Sequence, residues 1–449
     1  MRSKWRGAAW SAAVVTGFVA LGVAPALGSS IKVPHVDGSP RLAGDRAVWT
    51  DSGNPNRVLA LAPDGSTRTL LSMPVSDGQQ ASTGAITSRS RVVAVHSVSD
   101  ASSSSQTIEF LAGTPSGDFR TLETWPYPDG GDCRVPSLAL VSDTLVEANF
   151  CPGDPLATRD LATADSPVTP VPWHAGALHV MAVHAAGHLA AVFAMDAEHS
   201  GWPPTDYFIV IDLATGAELY RVPIRDLLAP EAPGNFEYAF DIDPDGTLVI
   251  EIPDYSWQYG RRANLYWASP AEPTAHQIPT YGGIILAMRL HDGLIALRRQ
   301  SDWAVVNLRG KTLQVFDTSN YGRGRLDFDG KRLVWASDDV VRNEPYPAVA
   351  TVVPQASVSP DAFARITVRC TASQRCRGTL ALKAKHTRQR FGSARFAIPG
   401  NARRTIRIKL NTGARRALAL NRTLRAAAEL HARGSGISIQ SNRPIALRR

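Results

Sequence analysis

A unit of four short apolar strands recurs along most of this 449-residue chain, and the repeat constrains the fold more than any other feature. The second strand of each unit follows a Gly, Asp or Ser turn and is rich in Val, Leu and aromatic residues. Repeats of about 40 to 50 residues are typical of β-propellers, in which each unit forms one blade. The second strands lie at 44–49, 90–95, 142–146, 187–192, 245–250, 292–297 and 329–335.

The repeat predicts an all-β protein with a seven-bladed propeller over residues 31–353. Six blades is the alternative, if the weak third copy is a distorted connection. The segment 31–36 precedes the first blade and has no other place in the pattern, so we predict that it closes the ring as the outer strand of blade seven. The seventh copy itself supplies strands only at 326–328, 333–336 and 349–353.

The first 28 residues have the pattern of a secretory leader. Arg2, Lys4 and Arg6 precede an apolar run over 8–23, and small residues at 24–28 then suit cleavage by signal peptidase. An uncleaved anchor is the alternative, because residues 8–27 could just span a bilayer. We expect a protein that is secreted or extracytoplasmic, either free or associated with the cell envelope, with no transmembrane segment in the mature chain.

The four cysteines of the chain are expected to form two disulfides in an exported protein. Opposed residues of an antiparallel hairpin share a constant sum of residue numbers, and each cysteine pair flanks one turn. This geometry predicts a Cys133–Cys151 and a Cys370–Cys376 disulfide. A zinc site is disfavoured, because zinc ligands typically come in tighter C-x2-C pairs.

Charge divides the chain into an acidic and a basic part. Of the 48 Lys and Arg residues, 21 follow residue 354, together with only two of the 40 acidic residues. The net charge of +8 is therefore the sum of a negative charge on the propeller and a larger positive charge on the tail. Alternating apolar residues in the tail predict a small C-terminal β-sandwich over 355–449. A basic module of an exported protein favours an anionic envelope polymer as its partner rather than a nucleic acid. The alternative is an Arg-rich solvated surface that docks on the acidic propeller.

Four short stretches of the chain resemble known families. The turn Asp241–Gly246 looks like the Asp-Pro-Asp-Gly turn of the WD40-like repeats in TolB-type propellers, and the segment Gly44–Trp49 is similar to secreted bacterial propellers. The Cys-x5-Cys-x-Gly stretch Cys370–Gly378 and the stretch Thr412–Leu418 resemble the immunoglobulin-like modules of secreted actinobacterial proteins. The TolB-type resemblance implies protein binding at the envelope and specifies no partner.

Long loops that join second to third strands in blades four and five carry aromatic and Arg side chains. In a propeller these loops share one face with the connections between blades, and that face is a common ligand surface. Aromatic rings and guanidinium groups suit a sugar ring or a peptide. The alternative is that the rings cover blade edges. The candidate ligand-binding residues are Trp202, Tyr255, Trp257, Tyr259, Arg261 and Arg262.

Asp241, Asp243 and Asp245 have the D-x-D-x-D-G spacing of a calcium loop. Pro244 is unusual inside such a loop, and Ile252 stands where the twelfth-position Glu belongs, so an ordinary blade turn is the preferred interpretation. We predict neither a bound metal nor a cofactor. Four histidines fall within fifteen residues: His174, His179, His184 and His188. We expect them to lie in different parts of blade four, and only His174 to face the channel.

The sequence lacks the common nucleophile, zinc-protease and phosphate-loop motifs. It therefore favours a non-catalytic binding protein of TolB-like propeller type, which recognises a peptide or glycan on the propeller face and uses its basic module for envelope association. The alternative is an extracellular propeller enzyme, a polysaccharide lyase or hydrolase. Such an enzyme needs a converging acid and base set, for which His174, Asp206 and Arg261 are the candidates.

Overall fold

The structure is a computed structural model. It describes residues 29–32, 40–51, 54, 56–76, 79–100, 106–127, 137–149, 155–196, 206–227, 238–254, 262–279, 285–299, 303–316, 326–337, 340–346, 350–370, 375–384, 389–400, 402–421, 423–434 and 437–448.

Seven four-stranded antiparallel sheets form the blades of a propeller, with the first strand of each blade nearest the central axis. Blade one contains β2 (Arg41–Ala43), β3 (Arg46–Thr50), β4 (Arg57–Leu61) and β5 (Thr67–Ser72), and blade two contains β6 (Gln79–Thr87), β7 (Val92–Asp100), β8 (Gln106–Thr114) and β9 (Gly117–Tyr127). Blade three contains β10 (Ser137–Val141), β11 (Thr144–Ala148), β12 (Leu156–Asp160) and β13 (Thr169–Pro170).

Blades four to seven repeat the same arrangement. Blade four contains β14 (Leu178–Ala186), β15 (Leu189–Asp196), β16 (Tyr207–Asp212) and β17 (Glu218–Pro223), followed by a 3-10 turn (Ile224–Asp226). Blade five contains β18 (Ala239–Ile242), β19 (Leu248–Asp254), β20 (Arg262–Ala268) and β21 (His276–Ile278), and blade six contains β22 (Ile285–His291), β23 (Leu294–Arg299), β24 (Trp303–Asn307) and β25 (Thr312–Phe316). Blade seven contains β26 (Leu326–Phe328), β27 (Arg332–Ser337), β28 (Val340–Pro345) and the N-terminal strand β1 (Ser29–Lys32).

The second strands are apolar on both faces because each blade packs between two others. In β15, for example, the run from Leu189 to Val192 is buried at every position. Apolar side chains of adjacent blades therefore form shared cores, as Phe208 of blade four and Phe240 of blade five do with ring centroids 5.1 Å apart. This packing accounts for the Val- and Leu-rich repeat seen in the sequence.

The N-terminal strand closes the ring as predicted, but it spans Ser29–Lys32 and overlaps the predicted segment 31–36 only at Ile31 and Lys32, since residues 33–36 lie outside the described residues. Ser29 pairs with Asn343 and Ile31 with Val341, so β1 is the outer strand of blade seven. Blade three is a complete four-stranded sheet, and the blade number is seven rather than six.

The prediction for the third strand of blade seven was wrong. This strand is β28, whereas the apolar segment 349–353 lies in the next strand, β29 (Ala350–Val358), which joins the C-terminal sheet. The sequence does not indicate a strand at β28 because β28 buries polar side chains in place of apolar ones. Arg332 Nε donates to Asn343 Oδ1 at 2.6 Å, and Asn343 Nδ2 donates to the carbonyl of Asp45 in blade one at 2.9 Å.

The C-terminal region forms one further sheet of seven strands with a short helix. The elements are β29, β30 (Phe363–Cys370), β31 (Cys376–Ala384), β32 (Arg390–Ile398), β33 (Arg403–Lys409), α1 (Thr412–Asn421), β34 (Thr423–Gly434) and β35 (Ile437–Arg448). The strand order is β32-β31-β34-β35-β29-β30-β33, and only β29 and β35 pair in parallel among the described strands.

The region predicted as a sandwich is a single sheet that curls around its own core. The two edge strands approach each other, and Arg404 Nη1 lies 3.5 Å from the carbonyl oxygen of Ala397. Gly392 permits this approach, because a Cβ atom there would collide with the carbonyl oxygen of Lys409. Apolar side chains such as Ile366 fill the interior. Curling lets one sheet enclose a core without a second layer.

The predicted Cys370–Cys376 disulfide is present, with Cα atoms 5.6 Å apart. Cys133 and Cys151 lie outside the described residues, so their pairing stays a prediction. The predicted leader, residues 1–28, also lies outside them. Within the described part of the chain, no helix has the length and apolar character needed to cross a membrane.

Candidate functional site

The seven inner strands converge on a cavity of about 650 Å³ at one end of the central channel. This end is formed by the hairpins between the first and second strands of the blades, and every blade contributes to the lining. We call it the channel cavity. It lies at the opposite end of the propeller from the loops between second and third strands, because successive antiparallel connections alternate between the two faces.

The cross-strand register shows that each inner strand places one residue at an equivalent position of the channel wall. Each of these residues is opposite the same position of the repeated second strand. We call this set the inner ring. Its members, in the order of the blades, are Arg41, Ala85, Ala139, His184, Asp241, Arg289 and Asp327, opposite Val48, Ala94, Val146, Ala191, Val249, Ala296 and Val334.

Asp241 of blade five connects three blades through its carboxylate. Its Oδ1 lies 3.0 Å from Nδ1 of His184 in blade four and accepts a hydrogen bond from its neighbour Ile242 N at 3.1 Å. Its Oδ2 accepts a hydrogen bond from the backbone N–H of Leu290 in blade six at 2.8 Å. The carboxylate is therefore held on both sides, and the side chain is only 13% exposed.

Asp327 of blade seven repeats this arrangement. Its Oδ1 accepts from Arg289 Nε of blade six at 3.2 Å and from Phe328 N at 3.1 Å, while its Oδ2 accepts from Leu42 N of blade one at 2.7 Å. Leu42 occupies in blade one the position that Leu290 occupies in blade six. An inner-ring Asp thus accepts a side-chain donor from the preceding blade and a backbone donor from the following blade.

The charges of the inner ring influence one another. Burial raises the pKa of Asp327, while the charge of Arg41 and the hydrogen bond from Leu42 N oppose that rise. The negative charge of Asp241 raises the pKa of Asp327 further. Asp243, next to the inner ring, accepts hydrogen bonds from the backbone N–H groups of Asp292 at 2.9 Å and Gly293 at 2.7 Å. Burial raises the pKa of Asp243, and these two hydrogen bonds only partly oppose the rise.

The wall of the channel cavity is more highly charged on one side than on the other. Blades five, six, seven and one supply the carboxylates and most of the guanidinium groups. Blades two, three and four supply half-buried apolar side chains such as Ile86, Leu138 and Leu140, together with Arg89 and His184. A cavity of this size with both kinds of side chain suits a ligand that has an apolar part and a polar or charged part.

The candidate residues of the loop face lie largely outside the described residues. This holds for Trp202, Tyr255, Trp257, Tyr259 and Arg261. The backbone of Arg262 begins β20 and pairs with Asp254 at the end of β19. The ligand surface on this face therefore stays a prediction from the sequence.

The D-x-D-x-D-G stretch forms the turn between β18 and β19 and bridges blades five and six. Asp241 and Asp243 bond the backbone of blade six, and Asp245 Oδ1 accepts from Thr247 N within the turn at 2.8 Å. The three carboxylates thus have separate hydrogen-bonding partners. Among the described residues, no group of three His, Cys, Asp or Glu side chains is arranged to hold a metal ion.

The four histidines of blade four do not share one site. His174 is exposed in the connection between blades three and four, and His179 lies in β14. His188 is 68% exposed in the following turn, with Nε2 3.5 Å from Asp212 Oδ2. His184 faces the channel cavity, whereas the sequence had favoured His174.

Asp206, the proposed acidic partner of His174, is half-buried directly before β16, and burial and the charge of Asp196 raise its pKa. No hydrogen bond or ion pair joins His174 to Asp206 within the described ranges.

Sequence reasoning missed the inner ring because its five polar members are spaced by roughly one blade or more. The bonded pairs are separated by 57, 49 and 38 positions, as for His184 with Asp241, Asp241 with Leu290, and Arg289 with Asp327. The first strands range from three residues in β2 to nine in β14, so the repeat is clearest in the second strands. In five of the seven blades the ring residue lies seven positions before its partner in the second strand, and this spacing is the signal that could have found the ring.

No protein-family model matches the chain, and no curated protein does. Solved structures with a similar fold include the Pan2 WD40 domain of Neurospora crassa, at 10% identity and a TM-score of 0.46, covering 71% of this chain and 94% of that one. KlAtg21 in complex with the coiled coil of AgAtg16 has 9% identity and a TM-score of 0.43, covering 75% and 94%. The WD40 domain of SCAP from fission yeast has 9% identity and a TM-score of 0.35, covering 68% and 82%. These similarities concern the fold alone.

Proposed function

We propose that the protein is an extracytoplasmic binding protein of TolB-like propeller type. Its propeller recognises a peptide or glycan, and its basic C-terminal sheet associates with an anionic polymer of the envelope. The observation that carries the binding role is the channel cavity, whose lining combines carboxylate and guanidinium groups with half-buried apolar side chains. A preformed concave site of this kind is the usual place for a ligand in a rigid scaffold.

The hydrogen bonds of the inner ring favour binding over catalysis. The link between His184 and Asp241 has the same place in the fold as the link between Arg289 and Asp327. An arginine stays protonated at neutral pH and therefore does not readily serve as a general acid or base. The feature common to both links is therefore the joining of blades, and a general acid or base is not needed to explain either.

A second candidate function is an extracellular polysaccharide lyase or hydrolase. The observation that favours it is the 3.0 Å contact between His184 Nδ1 and Asp241 Oδ1, because a carboxylate at one ring nitrogen orients the imidazole for proton transfer at the other. Purified protein should then degrade a polysaccharide, and His184→Gln should abolish turnover without unfolding the chain. Absence of turnover across a polysaccharide panel removes this candidate.

The location outside the cytoplasm is supported by two features. The N-terminal leader has the charge and apolar pattern of an export signal, and the Cys370–Cys376 disulfide suits an oxidising compartment. Fractionation of producing cells should recover the protein outside the cytoplasm, with an N-terminus downstream of the leader. Recovery of uncleaved protein from the cytoplasm would contradict the proposal.

Peptide and glycan arrays probed with the full chain test the binding role. For each hit, affinity is measured for Lys331→Glu, which reverses an exposed charge at the channel cavity, and for Lys311→Glu, which makes the same change on blade six away from it. We expect Thr87→Trp, which places a large ring in the cavity, to weaken binding at least tenfold, and Lys331→Glu to weaken it more than Lys311→Glu.

The loop face gives a competing outcome for the same arrays. If Trp257→Ala abolishes binding while Lys331→Glu and Thr87→Trp leave it unchanged, the ligand binds the loops between second and third strands, and the channel cavity is not the site. If no peptide or glycan binds the parent protein, the binding role itself fails.

A further inference from the structure

Two neighbouring strands of the C-terminal sheet place arginines directly opposite each other. In the pairing of β30 with β33, Arg365 is opposite Arg407 and Arg369 is opposite Arg403. Between these two rungs, Thr367 is opposite Thr405, with their hydroxyl oxygens 3.2 Å apart. We call these residues the arginine ladder: Arg365, Thr367, Arg369, Arg403, Thr405 and Arg407.

The ladder is on the outer face of the curled sheet. It alternates with residues whose side chains are buried in the interior, such as Ile366 and Ile408. Since successive side chains of a strand point to opposite faces, burial of these residues fixes the ladder outward. Three of its arginines, Arg365, Arg403 and Arg407, are exposed.

The ladder continues across the sheet at one rung. Ser357 of β29 is opposite Arg365, and exposed Arg448 of β35 is opposite Ser357. The surface here is a shallow, open depression of about 600 Å³. Its lining is composed of small, hydroxyl and guanidinium side chains: Ala356, Ser357, Arg365, Thr367, Thr405 and Arg407.

Acidic residues do not compensate the ladder. Only Asp361 and Glu429 are acidic after residue 354. Glu429 instead contacts Lys383 Nζ at 2.5 Å and His431 Nε2 at 3.4 Å. Within the described residues, none of the four ladder arginines forms an ion pair. Like charges directly opposite in a sheet reduce stability, and among the described residues no carboxylate offsets the repulsion within the two arginine rungs.

We propose that the arginine ladder binds consecutive phosphate groups of a linear phosphate polymer, an inference that rests on the envelope association proposed above. A guanidinium group donates two parallel hydrogen bonds to one phosphate, and the threonine hydroxyls donate to a phosphate between the rungs. Along a strand, side chains on the same face are about 6.8 Å apart, so the threonine pair is about 6.8 Å from each arginine rung; the two strands are about 4.8 Å apart. The ladder is thus longer along the strands than across them, which suits a chain.

A membrane surface fits the ladder less well than a chain does. Proteins that dock on bilayers usually insert exposed apolar or aromatic side chains beside their basic residues. Among the described residues, the large apolar side chains that are exposed lie outside β30 and β33: Val168, Met195, Leu219, Leu313 and Leu420. The ladder therefore offers hydrogen bonds and charge without an apolar wedge.

The experiment measures binding of long-chain polyphosphate to the full chain by titration at several salt concentrations. The test variant Arg365→Gln/Arg403→Gln removes one arginine from each rung and leaves Arg407, which stacks on Phe363 at 4.6 Å, in place. The control variant Arg415→Gln/Arg416→Gln removes the same charge from the exposed surface of α1.

We expect the test variant to bind polyphosphate about tenfold more weakly than the control, with a shallower salt dependence because fewer counterions are released. The test variant should also unfold at the same or a higher denaturant concentration than the parent, because each rung loses its repulsion. A polyglutamate chain of similar length should bind more weakly than polyphosphate, since carboxylates offer fewer acceptors.

Other outcomes overturn the inference in distinguishable ways. An equal loss in both variants means that total charge, not the ladder, determines binding; the envelope association then stands without this site. Binding of anionic vesicles but not of polyphosphate replaces the polymer with a membrane. If the parent binds neither, the ladder and the proposed envelope association fail together, while ligand binding by the propeller is judged by its own arrays.

Discussion

The carboxylate of Asp327 in blade seven accepts a hydrogen bond from the backbone N–H of Leu42 in blade one at 2.7 Å, across 285 positions of the sequence. This contact closes the propeller at its axis, whereas the pairing of β1 with β28 closes it at its rim. The same carboxylate accepts from Arg289 of blade six. One side chain thus links the first blade to the last two.

Replacing Asp327 by Ala should destabilise the propeller by about 2 to 4 kcal/mol, because the change leaves a largely buried Arg289 guanidinium and the Leu42 N–H without their acceptor. Denaturant unfolding followed by tryptophan fluorescence measures the loss. Glu272→Ala, at an exposed position, is the control and should change stability by less than about 0.5 kcal/mol. Equal effects of the two variants would show that the axial link contributes nothing.

Asp206→Asn should stabilise the protein at neutral pH. Burial, and then the charge of Asp196, raise the pKa of Asp206 above its ordinary 3.8, so the folded state holds the proton more tightly than the unfolded chain does. The ionised carboxylate therefore costs stability at neutral pH. The advantage of the variant should disappear as the pH falls through the folded pKa towards 3.8. Urea unfolding at several pH values measures it, with exposed Asp226→Asn as the control.

Gly310→Ala should be one of the most damaging small changes in the chain. Gly310 has φ of +75°, and a Cβ atom there would collide with the carbonyl oxygen of Pro279. Gly65 has φ of +87° with nothing within 4 Å, so Gly65→Ala isolates the backbone strain at about 1 kcal/mol. We expect Gly310→Ala to cost at least about 2 kcal/mol more in thermal or denaturant unfolding. Similar losses would show that the turn relaxes around the methyl group.

Loss of the Cys370–Cys376 disulfide should destabilise the C-terminal sheet by about 2 kcal/mol, the value expected from chain entropy for so short a loop. Both cysteines are fully buried, so Cys370→Ala/Cys376→Ala is the suitable variant. Hydrogen exchange should accelerate in β30 and β31, with the propeller strand β15 as the internal reference. Unchanged exchange in β30 and β31 would contradict the prediction.

The blade repeat could be predicted from the sequence because it reflects local chemistry. A buried strand between two neighbouring blades needs apolar residues on both faces, and each run ends at a turn residue such as Gly187, which has φ of +61°. The Cys370–Cys376 pairing could be predicted for a similar reason, since both cysteines flank one hairpin. Ring closure followed because the N-terminal strand had no other partner.

What the sequence did not reveal depends on contacts between distant elements. Strand β28 buries Asn343 because that side chain donates across the ring closure to Asp45, a contact with no signature in local hydrophobicity. The inner ring is hidden in the same way, since His184 and Asp241 have a shared role only after blades four and five are side by side. Such partners emerge from the register of whole blades, not from the pattern of one strand.

Ring closure also has a consequence for the order in which the protein is made. The strand that completes the ring, β1, is the first described part of the chain to leave the ribosome, and its partner β28 follows only after six blades have been translated. Until β28 has been synthesised, the edge of β1 therefore has no partner strand in blade seven. The leader predicted at residues 1–28 ends directly before this strand. Cleavage a few residues further along would remove β1, so the mature protein could form its blades but could not close the ring through the pairing of β1 with β28.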